Sequence, residues 1–190
     1  MASNDYHFIT QWRVESTCQE ITEILTNGTD LARWWPSVYL EVKLLEKGDA
    51  NGVGSVIDLY TKGWLPYTLR WKFRVTEVHH PNGFALEAWG DFNGHGRWTI
   101  EQDGAWVNVT YDWNIRADKP LLRDFSFIMK PLFSANHRWA MQRGEESLKL
   151  ELARRHAASP EARAQIPQPP RPTPNAPLPW LVSVVRPSSN

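Results

Sequence analysis

A single cysteine, Cys18, excludes an internal disulfide and a cysteine-built zinc cage. Excess charge of either sign is missing as well. The 21 Lys and Arg balance 21 Asp and Glu, so no long-range field gathers nucleic acid or an anionic membrane. No run approaches the roughly 18 to 20 apolar residues of a membrane-spanning helix. The start, MASNDYHFITQWRVEST, lacks a basic-then-apolar leader pattern, which reads as cytoplasmic. GxSxG, HExxH, Walker, paired CxxC and GxGxxG motifs are all absent, and Gly52-Val53-Gly54-Ser55 has no helix to follow it. Nucleotide binding and serine hydrolysis therefore drop away, and no cofactor is expected. His79 and His80 are adjacent and point to opposite faces, which leaves no metal geometry. What the chain has in plenty is tryptophan, 11 of 190 residues, within a hydrophobic content of 42% that supports a packed core.

Proline divides the chain. Nine of its 14 prolines lie at or beyond Pro160, which sets a body over 1–156 and a proline-rich tail over 157–190. Proline at this density removes backbone donors and favours extended polyproline II, so the tail builds no core of its own. It is expected to be disordered or draped on the surface. Two sharper readings stay open: the PxxP spacings at Pro167, Pro169 and Pro174 as a ligand for an SH3-like or WW-like groove, and Trp180 to Val185 as a short strand docked on the body.

In the body, Phe8, Thr10, Trp12 and Val14 alternate with His7, Ile9, Gln11 and Arg13, which predicts a first strand. Thr17 with Glu20 three positions on is a helix-start signature, Asn27-Gly28 stops that helix, and a second short helix ends before Pro36. Six strands follow near 38–46, 52–62, 67–79, 84–92, 94–102 and 105–115, joined by short turns. A helix from Pro120 to Arg155, kinked or broken at Pro131, closes the body with Phe133, His137, Met141, Gly144, Leu148 and Leu152 on one stripe. Short links imply an antiparallel meander, and the layer logic gives an α+β fold with one curved seven-stranded sheet closed by the terminal helix.

A two-residue Asp103-Gly104 turn sets 100 opposite 107, 98 opposite 109 and 96 opposite 111. Gly94, Gly96, Trp98 and Ile100 then share the inner face with Val107, Val109, Tyr111 and Trp113. Interior glycine packs nothing, so Gly90, Gly94 and Gly96 either leave room for a ligand beside Tyr111 and Trp113, facing Gly144 of the helix, or mark bulges that the two aromatics fill. Trp12, Leu69, Trp71, Phe73, Val75, Leu86 and Ala88 face inward by the same parity, as core or as cavity wall. The apolar tip Gly63-Trp64-Leu65-Pro66-Tyr67 either gates a cavity, packs on the terminal helix or tail, or docks on a membrane, a protein partner or a second copy.

The first strand YHFITQWRV, the turn Arg33-Trp34-Trp35-Pro36, the pair GRWT and VTYDW over 97–113, and NHRWAMQRGEESL over 136–148 resemble the START-related, polyketide cyclase-like (SRPBCC) superfamily, in its cyclase/dehydrase and lipid-transport branch. The resemblance covers about residues 6–155 and implies a helix-grip fold with a hydrophobic ligand held between sheet and helix. The expected activity is carriage or sensing of a lipid-like or aromatic molecule, or cyclase, aromatase or dehydratase chemistry in the same cavity. An interaction module working through the tail is the third possibility. The candidate ligand-binding set is Trp12, Trp71, Phe73, Gly94, Gly96, Trp98, Tyr111, Trp113, Phe133, His137 and Met141, with Trp64, Leu65, Tyr67 and Trp35 as gate. His137, alternatively a structural histidine, and Tyr111 are the groups able to polarise a ketone.

Overall fold

The computed structural model describes residues 5–116 and 126–174. β1 (Asp5–Glu15) has the expected alternation: Trp12 and Val14 are buried while Ile9, on the opposite face, is exposed. The Thr17 side chain accepts from the Glu20 N–H and caps α1 (Cys18–Thr26), whose Ile21, Ile24 and Leu25 turn into the core. A single 3₁₀ turn (Gly28–Asp30) leads into α2 (Leu31–Trp34). Then come β2 (Tyr39–Glu46), β3 (Val56–Lys62), β4 (Thr68–His79), β5 (Gly83–Gly90), β6 (Asn93–Asp103) and β7 (Trp106–Arg116). The strands form one antiparallel sheet in the order β1-β7-β6-β5-β4-β3-β2, a meander to which β1 adds at the far edge. The long α3 (Ser126–His156) runs through Pro131, which sits in its second turn, and a short α4 (Pro160–Gln165) follows, capped by Ser159. The Pro120 start expected for the long helix lies outside the described residues. The chain has the helix-grip fold, an α+β arrangement of a seven-stranded sheet and a long C-terminal helix.

One register expectation is corrected. Asp103 pairs with Trp106, Trp98 with Tyr111 and Gly96 with Trp113, two residues away from the expected pairing. Gly104 and Ala105, not Asp103 and Gly104, are the central turn residues. Gly104 alone carries positive φ, +61°, which is the pattern of a type II′ turn with glycine first. Because the slip is even, every side chain keeps its face, and Val107, Val109, Tyr111 and Trp113 are all buried.

Packing against α3 differs along its length. In its C-terminal half Leu148 and Leu152 are buried, and Glu151 binds Arg33 of α2 through two hydrogen bonds of 2.8 and 2.7 Å. Arg33 also grips Asp30, at 2.8 and 2.6 Å, so one guanidinium ties the 3₁₀ turn and α2 to the long helix. Burial alone would raise the Glu151 carboxyl, but the Arg33 bonds outweigh it and hold it below the usual range. In the N-terminal half Phe133, His137 and Ala140 are only half-buried. Among the described residues no helix is long and apolar enough to cross a membrane.

Candidate functional site

Those half-buried residues of α3 face a cavity of about 160 Å³. Its sheet wall is Tyr6 and Phe8 of β1, Leu69 and Trp71 of β4, and Tyr111, Trp113 and Ile115 of β7. Trp35, Val38 and Tyr39 wall it from the side of α2 and β2, and Thr61, Lys62, Gly63 and Tyr67 from the end of β3 and its loop. Phe92 adds a further ring, and α3 supplies Phe133, Asn136, His137, Ala140 and Met141. The volume is close to that of an apolar cavity of roughly 150 Å³ that accepts benzene, and below the roughly 300 to 1,000 Å³ of pockets for drug-sized ligands. A ligand of one or two rings fits that scale.

Of the sequence-derived ligand set, Trp71, Tyr111, Trp113, Phe133, His137 and Met141 lie on this wall. Trp12, Phe73, Gly94, Gly96 and Trp98 do not. Trp12 and Trp98 pack together at 5.3 Å in the core, and Phe73 is buried there too. The glycines hold no space for a ligand. A Cβ on Gly96 would lie 2.8 Å from the Tyr111 and Trp113 rings, and one on Gly94 would meet the β7 backbone at 2.1 Å. At Gly90, φ is +127° and the backbone of β4 closes in. The same holds for Gly144, whose missing side chain is where the Trp35 indole sits, 2.3 Å from a Cβ built there. Of the gate candidates, Trp35 and Tyr67 line the cavity. Leu65 is buried away from it, and Trp64, 38% exposed, points elsewhere.

Several wall residues are placed by neighbours that sequence reasoning missed. Asn136 accepts the Leu65 N–H at 3.1 Å and so pins the 63–67 loop onto α3. Trp71 donates its indole N–H to the Thr61 hydroxyl at 3.0 Å. Tyr6 extends the alternation of Phe8 by one step, a signal that was available, and Ile115 extends that of Trp113. Lys62 breaks the parity of β3, and nothing in the sequence marks it.

The electrostatics follow from burial. The His137 ring stacks on Phe8 at 4.2 Å between centroids, and its pKa is lowered to about 4 by burial, so the imidazole is neutral near pH 7. Burial raises the phenols of Tyr6, Tyr39, Tyr67 and Tyr111, which stay protonated donors. Three wall residues each hold a buried polar atom that has no hydrogen-bond partner among the described residues: Tyr6 Oη, His137 Nε2 and the Trp35 indole nitrogen. A buried polar atom without a partner carries a desolvation cost. Among the described residues the wall holds no carboxylate, and its cation is Lys62.

The sequence matches no family model and no curated protein. Solved structures match in fold. An aromatase/cyclase from Streptomyces sp. R1128 superposes with a TM-score of 0.63 at 18% identity, covering 81% of this chain and 97% of that one. A START superfamily protein from Mycobacterium smegmatis gives 0.57 at 14% identity over 75% of this chain and 98% of that one. A norcoclaurine synthase point mutant from Thalictrum flavum gives 0.55 at 14% identity, with 80% and 98% covered. At these identities the likeness establishes that the chain shares the helix-grip fold of START-like and polyketide cyclase-like proteins.

Proposed function

We propose that the chain binds one small apolar molecule, aromatic and bearing carbonyl or hydroxyl oxygen, between the sheet and the N-terminal half of α3, and serves as its carrier or sensor. The observation that carries this reading is the conjunction of an aromatic cavity with three wall residues, Tyr6, His137 and Trp35, that each hold a buried polar atom without a partner among the described residues. A featureless apolar void would favour a plain hydrocarbon, whereas phenol and indole donors favour a ligand with acceptors. Carriage is favoured over catalysis because a general base works best with a pKa near the operating pH, and His137 titrates far below neutral.

A second reading keeps its own support. A neutral imidazole and a phenol donor on one wall are the groups needed to polarise a ketone, and the fold is shared with an aromatase/cyclase. Calorimetric titration separates the contributions. The Tyr6→Phe and His137→Phe variants are expected to bind 2-acetylnaphthalene about five- to tenfold more weakly, a loss of one hydrogen bond each, and to bind 2-ethylnaphthalene unchanged. Equal affinity for both probes in all variants contradicts the reading. Incubation with a linear poly-β-ketone thioester then decides the role: recovery of unchanged material supports carriage, and cyclised product formed faster than in buffer supports the enzyme.

A further inference from the structure

Lys62 ends β3 on the cavity wall, and only 3% of its surface is exposed. Its ammonium donates to the backbone carbonyls of Thr173, at 2.8 Å, and Pro174, at 3.1 Å, more than a hundred residues further along the chain. The Thr173 hydroxyl donates to the carbonyl of Gly63, another wall residue, at 3.1 Å. The path to this contact is built in steps. The chain leaves α3, turns through α4, and is held again where Arg154 donates to the Pro167 carbonyl.

Over 167–174 five of eight residues are proline, so this stretch offers few N–H groups but a full row of carbonyls, in a conformation fixed in advance. It suits docking onto donors, and it cannot extend the sheet. No residue of α4 is buried, and 167–174 is half-buried at most, which places the segment in the easily opened part of the molecule. Its carbonyls are also modest partners for an ammonium. A carboxylate or enolate oxygen makes a shorter, charge-assisted bond.

Resting on the reading of the cavity as a ligand site, we propose that residues 167–174 form a strap that occupies Lys62 in the empty protein and yields it to an anionic oxygen of the ligand, so that Lys62 anchors a carboxylate or enolate head. The strap and the ligand head then compete for one ammonium, and head binding frees the segment.

The test uses the full chain and two probes of similar shape, 2-naphthoate and neutral 2-acetylnaphthalene, followed by calorimetry. Lys62→Met is expected to weaken 2-naphthoate about tenfold, and the doubly substituted Arg154→Gln/Thr173→Val chain to tighten it about fivefold. Binding of 2-acetylnaphthalene changes less than about twofold in both. Saturation with 2-naphthoate is expected to shift the Thr173 carbonyl carbon resonance toward that of a solvated carbonyl, because the ammonium leaves it. The proposal is overturned if 2-naphthoate binds all three proteins alike, or if the Thr173 carbonyl resonance is unchanged at saturation. The double variant lies outside the core and keeps the test decisive if Lys62→Met does not fold. Binding of 2-acetylnaphthalene alone, with indifference to the strap, overturns the strap and leaves the cavity standing; binding of neither probe removes both.

Discussion

At the scale of single residues the site is governed by what burial does to polar groups. His137 is the clearest case, because its imidazole stacks on Phe8 and Nε2 has no partner among the described residues. Its folded pKa of about 4 lies below the ordinary 6.5, so on acidification the unfolded chain takes up the proton first. Native stability therefore falls as pH drops from about 6.5 toward 4, and His137→Gln removes that part of the slope. Urea midpoints at about pH 7 and about pH 5 check this: the wild-type midpoint drops more than that of the variant. An equal drop in both contradicts the assigned environment. The glycines show where residue-level reading stops. Gly94, Gly96 and Gly144 were visible as positions lacking a side chain, but a missing Cβ is as useful to a neighbouring ring as to a ligand. What moves in depends on partners reaching across from other elements: Tyr111 and Trp113 at Gly96, Trp35 at Gly144 and the β7 backbone at Gly94.

At the scale of elements, α3 does two jobs with its two halves. The C-terminal half locks onto α2 through Glu151 and Arg33, and the N-terminal half forms one wall of the cavity. Glu151 is buried and Arg33 about half exposed, so Glu151→Gln strips charge from a partly shielded network and is expected to cost about 2 kcal/mol of unfolding free energy. Denaturant titration measures it. A change below about 0.5 kcal/mol means that packing alone sets the angle of α3. The elements themselves were largely legible. Period-two alternation and glycine turns placed the strands within a few residues, and the Thr17 cap fixed the start of α1. The β6–β7 pairing slipped because Asp103-Gly104 and Gly104-Ala105 both satisfy a two-residue turn, and only the backbone at Gly104 separates them. Half of the candidate ligand wall was legible too, wherever it followed strand parity or the helical stripe. Lys62, Asn136 and the strap were not, since contacts across the whole chain leave no local pattern.

At the scale of the whole molecule, the fold keeps one end of the sheet-helix interface filled by core side chains and leaves the other with room for about one small ligand. Trp12, Trp98 and Tyr111 fill the first part, and the rings from Tyr111 to Trp71 border the second. The central claim is that this room is a ligand site. Ala140 tests it, because it lies on the wall with a small side chain that can be enlarged into the cavity without touching the packed end of α3. Native mass spectrometry of the freshly purified chain and of Ala140→Trp, with 2-acetylnaphthalene supplied to both and any released molecule identified after denaturation, is the most direct measurement. The account predicts one small apolar molecule per wild-type chain and none on an Ala140→Trp chain that melts cooperatively. A wild-type chain that stays empty, or an Ala140→Trp chain that carries the same molecule in full, would contradict it.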